Sequence, residues 1–310
     1  MRNILLIKHG SLGDIISSTS AIKSLRDHYK ESSITIMTSK NYIPFFQKSK
    51  LCDNTILDNR KGFFNSLMLI FKIIQNNYDL IIDLQNSNRT SIYCLIIKSF
   101  CKIKVNGTHR FSDYRFVYDN KNPPHVIEGL CKQIELLGVK TFKEPFLSWL
   151  KDDNLKFDDL ENKKFFIINP GCSKNNLVKR WSANKFADVC KYLITKEIIP
   201  VIIGTNEDLD TINIIEKQEK NILNLCNKSP LNVIYNLSTK AEGALSNDTG
   251  PAHLIAATKC KIHLILSSFS NTKTVIPQSK NVTYTQSNSI EDIAANKIID
   301  EIDLLLQNEN

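Results

Sequence analysis

The sequence predicts an α/β protein of two similar halves, each a mostly parallel sheet covered by helices. Three observations carry that expectation. Short apolar runs alternate with helical patterns almost from end to end. Several runs are apolar without alternation, as strands covered on both faces must be. The alternation lapses once, between about residues 141 and 164, where the chain is charged, contains Pro145 and keeps no period. That stretch reads as a linker, dividing the chain into domains at 1–150 and 151–310.

Taken in order, strands are expected at residues 4–7, 34–37, 80–83, 165–168, 198–203, 243–246 and 262–266. Helical patterns fill 125–137, 182–196 and 290–306. In 182–196 the apolar residues Phe186, Val189, Cys190, Leu193 and Ile194 follow i, i+3, i+4, i+7, i+8, one face of a helix. Strands alternating with helices imply right-handed crossovers and parallel pairing. The final helix, 290–306, is free to pack on either half.

Composition bounds the function. A chain of 310 residues suits two domains, and 42% hydrophobic with 23% charged residues is ordinary for a globular protein. The eight cysteines are scattered and none forms C-x-x-C, which points to a reduced, cytoplasmic setting. The apolar run at the start is too short for a signal peptide, and no stretch approaches the ~20 apolar residues of a membrane span. A net charge of +8 suits anionic partners such as nucleotide diphosphates, phosphorylated lipids or an anionic membrane surface. No Lys-rich block with interleaved aromatics marks a nucleic-acid binder.

Three loops carry candidate chemistry, each following a strand and opening a helix, where open α/β sheets bind ligands. The first contains Gly10, Ser11, Gly13 and Asp14. Its G-x-x-G-D spacing is not the dinucleotide fingerprint, so hydride transfer is disfavoured. Asp14 can either cap the helix or face a ligand. The second loop runs Asn169-Pro170-Gly171-Cys172-Ser173-Lys174 and ends at Val178-Lys179-Arg180-Trp181. It is either a phosphate cradle beside a helix N-terminus or a solvated basic loop. The third is Ser246-Asn247-Asp248-Thr249-Gly250-Pro251-Ala252-His253. There Asp248 or Thr249 can cap a helix whose free amides would hold an anion, or Asp248 can accept from sugar hydroxyls. Asp208-Leu209-Asp210 has the D-x-D form of a metal ligand but reads as solvent-facing acids at a helix start. The histidines show no metal-like spacing. The absence of G-x-x-x-x-G-K-[ST] and G-x-S-x-G leaves no case for a kinase or hydrolase.

In order and spacing, these loops together with YDLIIDLQNSNRT (78–90), HVIEGLCKQIELLGV (125–139) and IIPVIIGTNED (198–208) resemble the heptosyltransferases of glycosyltransferase family nine. The resemblance implies a GT-B fold, two Rossmann-like domains with parallel sheets facing across a cleft. The N-terminal domain would bind the acceptor and the C-terminal domain the nucleotide sugar. It implies an inverting, metal-independent transfer of heptose, from ADP-heptose to a lipopolysaccharide core-type acceptor, with no cofactor. Asp14 matches the general base, with Gly10, Ser11 and Gly13 in its acceptor-side loop. Lys179 matches the cation at the donor diphosphate, with Ser173, Asp248, Thr249, Gly250 and His253 completing the donor site. The setting implied is cytoplasmic, with peripheral contact at the inner membrane. The chain departs from the family at 267–272, where Ser267-Ser268-Phe269-Ser270-Asn271-Thr272 replaces a G-P-T turn, and at Asn86, where Gly is common. Two other functions fit the same architecture: a nucleotide-sugar 2-epimerase, and a nucleotide-sugar-binding subunit without catalysis.

Overall fold

A computed structural model describes residues 2–172, 178–277 and 279–307. It divides into two compact units, Met1–Trp149 and Leu150–Asn310. The linker stretch of 141–164 holds only short 3-10 turns at Ser148–Leu150 and Asp158–Leu160.

The first unit runs β1 (Asn3–Ile7), α1 (Leu12–His28), β2 (Ser33–Thr38), α2 (Ile43–Ser49), β3 (Asn54–Leu57), α3 (Phe63–Gln75), β4 (Leu80–Asp83), α4 (Asn88–Phe100), β5 (Lys104–Gly107), β6 (Tyr114–Arg115) and α5 (Val126–Glu135). Its sheet is parallel, in the order β3-β2-β1-β4-β5-β6. The second unit runs β7 (Phe165–Asn169), α6 (Ala183–Thr195), β8 (Ile199–Gly204), α7 (Leu209–Gln218), β9 (Leu223–Cys226), α8 (Leu231–Ser238), β10 (Gly243–Asn247), α9 (Gly250–Ala257), β11 (Ile262–Ser267), β12 (Val282–Ser287) and α10 (Ala295–Gln307). Its order is β12-β11-β10-β7-β8-β9, the same winding repeated. In both sheets the strand order reverses beside the first strand, between β1 and β4 and between β7 and β10. Loops leaving the carboxyl ends of strands at such a switch point frame a crevice.

The central strands are fully buried: Ile4 to Ile7, Leu80 to Ile82 and Phe166 to Ile168 expose none of their surface. Helix α1 packs against α5 and carries a buried row of Ser and Thr. These hydroxyls are satisfied locally, Ser18 donating to the Ile15 carbonyl at 2.7 Å and Thr19 to that of Ile16 at 2.6 Å. Such short side chains let the helix seat closely. The core of the second unit gathers Phe166, Trp181, Phe186 and Ile202, with Ile298, Ile302 and Leu305 of α10 packed into it.

One expectation about the last segment is corrected and one left open is resolved. Residues 290–306 are not one helix: a 3-10 turn at Ile290–Asp292 precedes α10, which begins at Ala295. Ile290 and Ile293 drop into the core and the Ile293 carbonyl accepts from the Trp181 indole at 2.9 Å, so the backbone there bends toward the sheet. Helix α10 packs on α6 and β11 of its own unit, rather than being free to choose.

His263 of β11 is enclosed between Thr283 and Thr285 of β12, at 2.8 Å from Nδ1 and 3.0 Å from Nε2. Burial, aided by the charge of Lys297, holds its imidazole down at about 4 from an ordinary 6.5. The folded protein therefore keeps His263 neutral while the unfolded chain charges it. Its contribution is intact above pH 6.5 and is lost as pH falls from 6.5 toward 4. The loss amounts to about 3 kcal/mol, from the linkage of proton binding to folding. Denaturant melts across that range are expected to show His263→Gln losing less stability than wild type on acidification.

Candidate functional site

Each switch point holds a cluster of polar side chains, and the two are described separately. In the first unit, β1 leads through Lys8 and His9 into Gly10, at φ +118°, a backbone conformation natural to glycine. A Cβ at Gly10 would lie 2.6 Å from Asp14 Oδ2. Gly10→Ala is expected to lower unfolding stability by about 3 kcal/mol, combining backbone strain with this clash, as denaturant titration would measure.

The turn creates a reciprocal cap. Ser11 is the N-cap of α1, its hydroxyl accepting from the Asp14 amide at 3.4 Å. Asp14 Oδ2 accepts in return from the Ser11 amide at 2.7 Å and from the Ser11 hydroxyl at 2.8 Å. Asp14 thus sits at the third helical position, not at the cap that the sequence allowed it. Both of these bonds fall on Oδ2, so its rotamer is set while Oδ1 is not used by the cap. Gly13 is buried behind it in the first turn.

The loop is supported from below. The His9 amide donates to Gln85 Oε1 at 3.0 Å, and Lys8 Nζ donates to the Leu84 carbonyl at 3.3 Å, tying β1 to the loop after β4. Burial pushes the Lys8 ammonium below its ordinary range, against the pull of Asp14 and Asp83. His9 Nε2 lies 3.4 Å from Asp58 Oδ2, an ion-pair distance without hydrogen-bond alignment. Burial pushes the Asp58 carboxyl up, but His9, the Arg60 amide and Arg89 together hold it below its usual range.

Folding also assembles a set that sequence spacing did not suggest. Asp83, Cys94 and His109 bring one ligand atom each within 4.8 Å of one another. Asp83 Oδ1 accepts from the Gln85 and Asn86 amides at 2.9 and 3.0 Å, and Oδ2 meets His109 Nε2 at 2.7 Å. Burial drives the Cys94 thiol well above its usual range, with Asp83 adding to the shift, which favours the protonated form. The arrangement is a hydrogen-bonded brace for the loops after β4 and β5. Asn86, at φ +52°, completes it by accepting from the Thr108 amide at 3.0 Å.

In the second unit the loops after β7 and β10 are bolted together. Asn169 Nδ2 donates to Ser246 Oγ and to Thr249 Oγ1, both at 2.8 Å. Asn247 Nδ2 donates to the Pro170 carbonyl at 2.9 Å, and its Oδ1 accepts from the Trp181 amide at 3.3 Å. Within Lys179-Arg180-Trp181 each residue has its own anchor. Trp181 is fully buried against Phe186. Arg180 donates to the Cys172 carbonyl at 2.9 Å and to Asp208 at 3.3 Å. Lys179 Nζ reaches Asp248 Oδ2 at 2.6 Å, across 69 residues of sequence.

Asp248 holds two donors on that one oxygen, Lys179 and the Ser270 hydroxyl at 2.7 Å. Burial raises its carboxyl, but these bonds and the charges of Lys179 and His253 overcome that and hold it below its ordinary range. Thr249 occupies the N-cap of α9 without a side-chain cap bond. Gly250 and Pro251 start the helix; Pro251 has no amide and the Ala252 amide donates to the Thr249 carbonyl at 3.1 Å, which leaves the Gly250 amide to a ligand or solvent. His253 is buried one turn along. Ser173 and Lys174 lie outside the described residues.

Asp208 corrects the solvent-facing expectation. It is buried and accepts from the Thr205 amide at 3.0 Å, the Cys172 amide at 3.2 Å and Arg180. A Cβ on Gly171 would come within 2.8 Å of its carboxylate. With these partners, the D-x-D acid is committed to shaping the loop after β7. Ser270 was legible only as a departure at 267–272; its bond to Asp248 crosses 22 residues and left no local signal.

The sequence of residues 67–297 matches the family model of glycosyltransferase family 9 (heptosyltransferase), three quarters of the chain. The chain belongs to this family. Among curated relatives, the lipopolysaccharide core heptosyltransferase OpsX of Haemophilus influenzae is 24% identical, the match covering 82% of this chain and 75% of that one. A lipooligosaccharide heptosyltransferase 2 of Campylobacter jejuni is 24% identical over 87% of this chain and 82% of its own length. Among solved structures, the Escherichia coli ADP-heptose lipopolysaccharide heptosyltransferase II superposes with a TM-score of 0.77 at 19% identity, covering 99% and 98% of the two chains. The family 9 chain therefore has the GT-B fold, and is a glycosyltransferase by membership.

Proposed function

We propose that this family 9 protein transfers heptose from ADP-heptose to a lipopolysaccharide core-type acceptor, inverting the anomeric centre in a single displacement. The observation that carries the reading is the Lys179–Asp248–Ser270 cluster at the opening of α9. It places a cation beside a helix N-terminus that keeps the Gly250 amide for a ligand, the arrangement that holds a diphosphate. The relatives named above, which act in lipopolysaccharide and lipooligosaccharide assembly, supply the sugar and the acceptor class.

In this account Lys179 shares its three protons between Asp248 and the donor diphosphate. Asp248 Oδ1 takes a hydroxyl of the donor sugar. The acceptor hydroxyl attacks the anomeric carbon, the bond from that carbon to the diphosphate oxygen breaks, and ADP leaves with the electron pair. The proton passes to Asp14, whose orientation is held through Ser11. Negative charge on the departing diphosphate is met by Lys179 and the N-terminus of α9 rather than by a metal. The commitment of Asp208 to Arg180 and to backbone amides supports that assignment, since it removes the D-x-D acid from ligand duty. No step requires a cofactor.

Mass spectrometry of a heptose-deficient core acceptor incubated with enzyme and ADP-heptose tests the reading. Gain of one heptose, unaffected by EDTA, is expected. An epimerised donor without any acceptor product would contradict it, as would donor binding with no turnover.

A further inference from the structure

We infer that the outward face of α3 and α4 is a docking surface for an anionic lipid bilayer. The α3 sequence is apolar nearly all round. Leu69, Ile70 and Ile73 face inward and are buried in the core of the first unit. The opposite arc is just as apolar and faces solvent: Phe63 is 72% exposed, Phe64 80%, Met68 70% and Phe71 57%. Positions i, i+1, i+5 and i+8 fall along one side of a helix.

Helix α4 packs beside α3, tied to it by Arg89 Nη2 and Tyr93 Oη on Ser66 Oγ at 2.9 and 3.2 Å. It adds Ile92 and Phe100, 57% and 76% exposed. An isolated exposed apolar side chain needs no explanation, but a contiguous arc of aromatic, Met and Ile residues on neighbouring helices marks an interaction surface.

Charge selects the occupant. Residues 59–78 and 84–112 contain no Asp or Glu, while the exposed Lys61, Lys72 and Lys102 flank the arc; Lys98 is taken up by Asp113 at 2.7 Å. A basic rim around an apolar, aromatic-rich face is the pattern of a helix lying in the headgroup layer of an anionic membrane. A second copy of the chain meeting this face across a two-fold axis would set the same cations against each other. No helix among the described residues is long and apolar enough to cross a membrane, so the attachment is interfacial. The surface stands independently of which sugar is transferred.

The test is co-sedimentation of the full chain with vesicles of phosphatidylcholine alone or mixed with phosphatidylglycerol. Wild type is expected to bind the mixed vesicles, and less so as salt rises. Phe64→Ser should cut the partition coefficient about tenfold, and Phe64→Ser with Met68→Ser roughly a hundredfold, from the loss of buried apolar surface. Both side chains are exposed, so thermal stability and donor binding should stay at wild-type values. In a second readout, Phe64→Trp should shift its emission to the blue on the mixed vesicles. Wild-type binding by the serine variants would overturn the proposal, as would equal binding to neutral vesicles. Self-association through this face, seen by light scattering and abolished by Phe64→Ser in a protein that ignores vesicles, would assign the surface to a second copy instead.

Discussion

Asp14→Asn should lower kcat for sugar transfer by about 10²–10⁴-fold, the usual worth of a positioned general base. It should do so with little change in fold or donor affinity. An asparagine in the same rotamer still presents an oxygen to the Ser11 amide and hydroxyl, which now hold Oδ2 at 2.7 and 2.8 Å, so the reciprocal cap survives. What is lost is the capacity to take a proton. Asp14→Ala is a different experiment, because it also removes the cap partner and costs about 1 kcal/mol of helix stability. Stopped turnover in the asparagine variant, beside unaltered melting and donor titration, would separate chemistry from architecture. Normal turnover would remove Asp14 as base.

Lys179→Ala should weaken donor binding by about 2 kcal/mol, roughly 30-fold, at the low end for breaking a hydrogen-bonded charge pair because Lys179 is partly exposed. Two effects add. The diphosphate loses its cation, and Asp248 keeps only the Ser270 hydroxyl on Oδ2, leaving a half-compensated carboxylate beside the ligand. Removing that carboxylate as well should recover part of the loss, so Lys179→Ala with Asp248→Asn is expected to bind donor better than Lys179→Ala alone. Simple additivity of the two substitutions would show that the pair does not act as a unit.

The fold was largely legible because its central strands are fully buried. Residues 4–7 and 165–168 are continuous apolar runs, 80–83 and 262–266 are broken only by Asp83 and His263, and each proved to be an interior strand. The strands that escaped notice are β3, β5, β6, β9 and β12, four of them at sheet edges. An edge strand has one neighbour and a wetter face, so its sequence is shorter or more polar, as in the four-residue KVNG of β5 beside the edge or the polar VTYTQS of β12. Nothing local marks them; neighbouring strands supply their pairing.

The candidate site divides along the same line. Positions such as Gly10, Asp14, Asp248 and Gly250 stood out because they follow strands and open helices, a local pattern. Their roles did not, because partners lie far away in sequence. Lys179 finds Asp248, Arg180 finds Asp208, and His109 finds Asp83, each through tertiary folding. Asp208 shows the hazard: an acid in D-x-D beside a helix start reads as solvated until the loop after β7 closes over it.

The most direct test of the central assignment is calorimetric titration of the purified protein with ADP-heptose, ADP, UDP and GDP, alongside Lys179→Ala. The account predicts selective binding of ADP-heptose and ADP, weakened in the variant. Preference for UDP or GDP, or affinity indifferent to Lys179, would keep the fold and contradict the heptose assignment.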